Sequence, residues 1–127
     1  MKKKTKKSTS KKYDKYQSPL AERYASDEMS YNFSDQLKYS TWRKLWIALA
    51  ETEKSLGVKA ISQKQINEMK KFQDDINFDA ARKHEIRVKH DVMAHVHAFG
   101  DQCPAASPII HLGATSNFIN DNADVIL

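Results

Sequence analysis

Residues 33–57 read FSDQLKYSTWRKLWIALAETEKSLG, and this stretch decides the fold class. Leu37, Trp42, Leu45, Trp46, Leu49 and Ala50 recur at spacings of three and four, the period that lines up one face of an α-helix. Ser34 supplies a side-chain oxygen for the free N–H groups at the start, and Gly57 is placed to close the helix in a left-handed turn. The spacing therefore predicts an amphipathic helix from Asp35 to about Leu56. Trp42 and Trp46 lie one turn apart inside the apolar stripe, which makes them core residues rather than a ligand platform.

Working outward, Ser62 followed by Gln65 has the form of a capping box, with Ile66, Met69 and Phe72 marking the buried face of a shorter helix. Asp79 is placed to cap a third helix. The run from Ala80 to Phe99 lacks proline and glycine until Gly100 stops it, with a kink near Lys89 left open. Pro108 to Ile110 reads as an extended connection, and Ser18 to Tyr24, which lacks helical periodicity, as a loop. Asn117 to Leu127 resembles the first turns of another helix. Its apolar end, Val125, Ile126 and Leu127, has no closing cap, which suggests a piece of something longer. No alternating strand pattern is present, so the chain is expected to be all-α.

The 127 residues and 40% hydrophobic content allow one small domain with a modest core. A net charge of +5 hides an uneven distribution. Residues 1–15 hold eight lysines against Asp14, leaving 13 basic and 15 acidic residues for a mildly acidic body. The opening has no apolar groups to offset ordering entropy and is expected to be a disordered, solvated tail. Tyr13 is its only aromatic residue, so base recognition has little to work with and nucleic acid is not an expected partner. No apolar run has the length of a membrane span or follows the basic start as a secretory signal would. Cys103 stands alone, cannot form an intrachain disulfide, and reads as a small buried hydrophobe.

Four of the five histidines gather between Arg87 and Asn117, in RVKHDVMAHVHAFGDQCPAASPIIHLGATSN. Metal binding is disfavoured by geometry. On a helix His90 and His97 lie ~10 Å apart along the axis, while zinc bonds are ~2 Å long. Asp91 and His95 have a ligand-like spacing but lack a third partner, and His95 and His97 read as structural. His90 beside Asp91 suits a polyanionic ligand and its proton transfers, and Lys89 adds positive charge; read alone, the group is more often an ordinary exposed helix start. His111 precedes LGATSN, where Gly113 permits close backbone approach and Thr115 and Ser116 offer hydroxyl donors near a helix N-terminus. Arg23 and Tyr24 form a further pair able to grip phosphate, although in isolation such a pair is more often plain surface.

In wording and order, SPLAERYAS, FSDQLKYSTWRKLWIALAETEKSLG, KHDVMAHVHAFG and HLGATSN together closely resemble the adenylosuccinate lyase family of the fumarase and aspartase superfamily. The resemblance runs from about Tyr16 to the end. It implies an N-terminal helical domain over residues 16–111 and the start of a central helical bundle over residues 112–127. It also implies β-elimination of fumarate from adenylosuccinate and from SAICAR in purine nucleotide biosynthesis, without a cofactor, in a cytoplasmic homotetramer. By position, the resemblance assigns substrate contacts to Arg23, Tyr24, Lys89, His90, Asp91, Thr115 and Ser116, with His111 as a further contact. Lys89 departs from the arginine common in relatives, which keeps the charge and loses the planar fork. The family's acid histidine and base serine lie in segments outside these 127 residues, so the chain alone is expected to be inactive. The competing expectation is a small helical interaction module whose basic tail binds an acidic partner.

Overall fold

The computed structural model describes residues 13–127; residues 1–12, most of the lysine-rich tail expected to be disordered, lie outside the described residues. Six α-helices follow in order: α1 (Asp27–Asn32), α2 (Asp35–Ser55), α3 (Gln63–Lys71), α4 (Phe78–Val88), α5 (Asp91–Gln102) and α6 (Ser116–Ile126). A π-helical turn spans Leu20–Tyr24 and a 3-10 turn spans Ser107–Ile109. No strand occurs among the described residues, and the all-α expectation holds. None of their helices is long and apolar enough to cross a membrane.

The start and stop signals explain most boundaries. Ser34 caps α2 by accepting the Leu37 N–H at 3.2 Å, and Gly57 follows it with φ +94°, a left-handed conformation glycine adopts freely. Ser62 and Gln65 form the reciprocal capping box at the head of α3. Four expectations are corrected. Asn77, not Asp79, caps α4, accepting the Ala80 N–H at 3.0 Å. The kink left open near Lys89 is a full break into two helices, because Lys89 turns left-handed at φ 52° and His90 is extended at φ −151°. Gly100 does not stop α5, which continues to Gln102; a Cβ there would lie 2.7 Å from Ser107 Oγ, so glycine allows the 3-10 turn to press against the helix. The two segments read as a loop and an extended connection are, respectively, the π-helical turn and the 3-10 turn.

Helix α2 is the axis of the molecule, contacted by α1, α3 and α6, while α4 and α5 form a pair. That pair is antiparallel: His84 stacks on His97 at 5.3 Å between ring centroids and meets Asp101 at 2.6 Å. Trp42, Trp46, Ile66, Met69, Phe99 and Ile119 are fully buried and join α2, α3, α5 and α6 in one core. Each such side chain contributes ~1.5–3 kcal/mol by leaving water. The buried face of α2 is rotated from the expected stripe. Ser40, Thr41, Arg43 and Ile47 are buried, whereas Leu37, Leu45 and Leu49 are only half-buried.

Candidate functional site

The break between α4 and α5 creates the site. Lys89 N–H donates to Glu85 O at 2.7 Å as α4 ends, and the left-handed turn at Lys89 swings His90 into the capping position of α5. There His90 Nδ1 accepts the Met93 N–H at 3.3 Å, so the imidazole does the work usually done by a serine or asparagine side chain. Asp91 lies 3.7 Å from His90 Nδ1 through its Oδ1, which also accepts the Val92 N–H at 2.8 Å. Lys89, His90 and Asp91 are all exposed.

The GATS loop approaches this helix start from the other side. His90 Nε2 and Ser116 Oγ are 3.2 Å apart, which bridges 26 residues of chain and joins the two expected motifs. Ser116 is the first residue of α6 and Thr115 its cap, but the Thr115 side chain makes no capping hydrogen bond and leaves its hydroxyl for other partners. Gly113 is left-handed at φ +71°, and a Cβ there would come 3.3 Å from Glu53 Oε1. Glycine thus lets the loop settle on α2.

His111 closes the arrangement from inside. Its backbone is left-handed at φ 68°, and its Nδ1 accepts the Trp46 indole N–H at 3.0 Å. The rings meet edge to face at 6.0 Å between centroids. Burial, followed by the nearby charge of His90, holds the His111 pKa below its ordinary value. One wall therefore collects His90, Asp91, Ser116 and the half-buried His111 around the N-termini of α5 and α6.

Arg23 and Tyr24 are not part of that wall in the single chain. Arg23 lies over the Tyr24 ring at 5.4 Å, and both are exposed. Tyr24 lines a groove with Leu20, Met29 and Phe33, and Arg23 a separate depression with Tyr13 and Gln17. No hydrogen bond, ion pair or ring contact joins either residue to His90, Asp91 or Ser116 among the described residues.

The other histidines behave as core and scaffold. His95 is buried and stacked on Tyr39 at 3.6 Å between centroids; burial, with Arg43 adding to it, pushes its pKa down to about 4. His97 stacks on His84. Cys103 is fully buried, its thiol raised to about 11 by burial. Among the described residues no three His, Cys, Asp or Glu side chains converge as a metal site.

Sequence reasoning missed three supporting residues. Trp46 was read as core alone, yet its N–H holds His111. Glu53 lies under the Gly113 loop with Oε2 buried and without a hydrogen-bond partner among the described residues. Arg43, expected on no particular face, is buried: it donates to the Phe72 carbonyl, to the Asp75 carbonyl at 2.9 Å and to Gln102 Oε1 at 2.7 Å. Its guanidinium sits 4.3 Å from the Phe99 ring centroid. Only contacts remote in sequence distinguish these residues from their neighbours.

An all-α chain that sets a histidine–aspartate helix start against a glycine-threonine-serine loop is of the kind found in the fumarase and aspartase superfamily. The chain is 53% identical to adenylosuccinate lyase of Saccharomyces cerevisiae over 116 residues, which is 90% of this chain and 24% of that protein. It is 53% identical over 115 residues to the Schistosoma mansoni enzyme of the same name, covering 91% of this chain and 24% of that protein, and 49% identical over 116 residues to that of Schizosaccharomyces pombe, covering 90% and 24%. Across the residues it spans, the chain belongs to the adenylosuccinate lyase family. It spans about a quarter of the length of these curated relatives. A scan against protein-family models found no match.

Proposed function

We propose that this chain supplies substrate-binding walls to an adenylosuccinate lyase, which eliminates fumarate from adenylosuccinate to give AMP and from SAICAR to give AICAR. The observation that carries the reading is the 3.2 Å approach of Ser116 Oγ to His90 Nε2, which unites the two motifs at paired helix N-termini. Both substrates are phosphorylated dicarboxylates, and free N–H groups, hydroxyls and imidazoles at such a place suit anionic oxygens. Elimination removes a proton from the succinyl carbon, builds negative charge on the adjacent carboxylate, and protonates the departing nitrogen. Lys89, His90, Asp91, Thr115, Ser116 and His111 hold the anionic substrate while groups from outside this chain's described residues move the protons.

Arg23 and Tyr24 belong to the same reading as contacts delivered across a subunit boundary in a homotetramer, which accounts for their separation from His90 in one chain. Residues 16–111 then form the N-terminal domain and residues 112–127 the opening of the central bundle. The enzyme is cytoplasmic and needs no cofactor for this chemistry. The reading as a helical interaction module is not favoured, since about half of all residues match enzymes over nine-tenths of the chain.

The test uses the full-length protein and follows fumarate release from adenylosuccinate. His90→Ala is expected to lower turnover by 100-fold or more, on the order of the loss of a positioned polar group, with a melting temperature lowered only by the loss of the α5 cap, about 0.5–2 kcal/mol. His97→Ala should instead lower the melting temperature and leave turnover within about twofold. A parent protein without lyase activity, or a His90→Ala variant with full activity, removes the basis of the reading.

A further inference from the structure

The donors around His90 and His111 determine which ring nitrogen of each carries the proton. A neutral imidazole has one N–H and one bare nitrogen, and a nitrogen that accepts a hydrogen bond is the bare one. At His111 the donor is the Trp46 indole N–H, which has no acceptor capacity, so the direction of the bond is unambiguous. Neutral His111 therefore carries its proton on Nε2. At His90 the donor to Nδ1 is the Met93 backbone N–H, equally irreversible, so the His90 proton also sits on Nε2 and is donated to Ser116 Oγ. Ser116 accepts at that oxygen, and its own hydroxyl proton is free to turn toward a ligand.

We propose that Trp46 is a positioning residue of the site: its buried indole N–H locks His111 in the neutral Nε2–H form, so that the loop before Gly113 presents a fixed donor to an anionic oxygen of the substrate. The inference deepens the lyase reading and rests on it for the identity of the substrate. Three observations support it together. His111 holds a left-handed backbone conformation that a non-glycine residue adopts at a cost, so its surroundings must over-determine it. Burial disfavours the imidazolium, which would have no bare nitrogen for the indole. The contrast with Trp42 is the third: one turn earlier on the same helix, its Nε1 is equally buried and has no hydrogen-bond partner among the described residues. The two indoles fill the same core, but only Trp46 reaches a residue of the site.

The pair of tryptophans provides an internal control. In the full-length protein, Trp46→Phe and Trp42→Phe each shrink a core ring by a similar volume, but only Trp46→Phe removes a donor from His111. Nitrogen NMR of histidine-labelled protein should show His111 as the pure Nε2–H form in the parent and in Trp42→Phe, and as a mixture in Trp46→Phe. KM for adenylosuccinate should rise roughly tenfold in Trp46→Phe, the loss of about one hydrogen bond to a charged group, with kcat within about twofold and Trp42→Phe unchanged. An unaltered His111 spectrum in Trp46→Phe, or kinetics equal to those of Trp42→Phe, overturns the proposal. If Trp46→Phe does not assemble, His111→Gln and His111→Leu decide it: glutamine, which can donate from the Nε2 position, should keep KM within about threefold, while a leucine variant with parental KM is contrary. A parent lacking lyase activity sinks the functional reading, whereas the nitrogen spectra still decide the tautomer lock.

Discussion

His95 shows how a titratable side chain becomes a piece of core. Its ring is sandwiched against Tyr39, edge-on to Trp42, and only 6% exposed. The folded chain therefore favours the neutral ring, with a pKa of about 4, while the unfolded chain takes up a proton near the ordinary value of 6.5. Between those values the unfolded state binds more protons, so stability is complete above about pH 6.5 and lost as the pH falls toward 4. The loss attributable to His95 is up to about 3 kcal/mol, and His111, shifted in the same direction, adds to it. A melting series over this range should show His95→Gln less stable than the parent at neutral pH but with a flatter acid limb. Parallel acid limbs for the two proteins would contradict the account.

At the scale of elements, the α4–α5 junction and the α5–3-10 contact carry opposite lessons about glycine. Lys89 occupies a left-handed position that glycine fills at lower cost, so Lys89→Gly is expected to raise stability by roughly 0.5–1 kcal/mol. The same substitution removes a positive charge from the proposed anion site, so affinity for adenylosuccinate should fall as the melting temperature rises. Gly100 sits in the last turn of α5 without a left-handed φ, and its absent side chain is what matters. Gly100→Ala places a Cβ 2.7 Å from Ser107 Oγ and 3.2 Å from Ser107 Cβ, so the serine side chain must turn away and the 3-10 turn must also give slightly. Helix propensity favours alanine by ~1 kcal/mol, and overpacking costs ~1–3 kcal/mol. Thermal unfolding should therefore show net destabilisation, and a stabilised variant would mean that the turn yields freely.

For the whole molecule, the decisive feature is the apolar surface left uncovered. Val125, Ile126 and Leu127 are exposed at the end of α6, and Ile126 and Leu127 border a groove with Leu37 and Leu45 of α2. The half-buried Leu37 and Leu45 explain why the expected stripe and the observed core differ: part of the stripe faces this groove. Leu20, Tyr24, Met29 and Phe33 make a second apolar groove beside the π-helical turn. Surfaces of this kind are buried by partners in oligomeric proteins. Under the tetramer proposal, Ile126→Asp in the full-length protein should shift sedimentation toward smaller species and reduce lyase activity in step, as sites built from several subunits come apart. Unchanged sedimentation would remove α6 from the interface.

Local signals were enough for the α2 boundaries, the Ser62–Gln65 capping box and the all-α class, because caps and apolar periodicity act within four residues of chain. The same was true of the His90–Asp91 and Thr115–Ser116 motifs, whose residue types and order are visible in the sequence itself. The tertiary structure alone decided what those residues touch. The His90–Ser116 approach spans 26 residues, Trp46–His111 spans 65, and Arg43–Gln102 spans 59. It also turned the kink left open near Lys89 into a full break, where no proline or glycine marks it. Periodicity along a helix cannot report such contacts, since they form only when distant elements pack and the buried polar groups must find partners across the core.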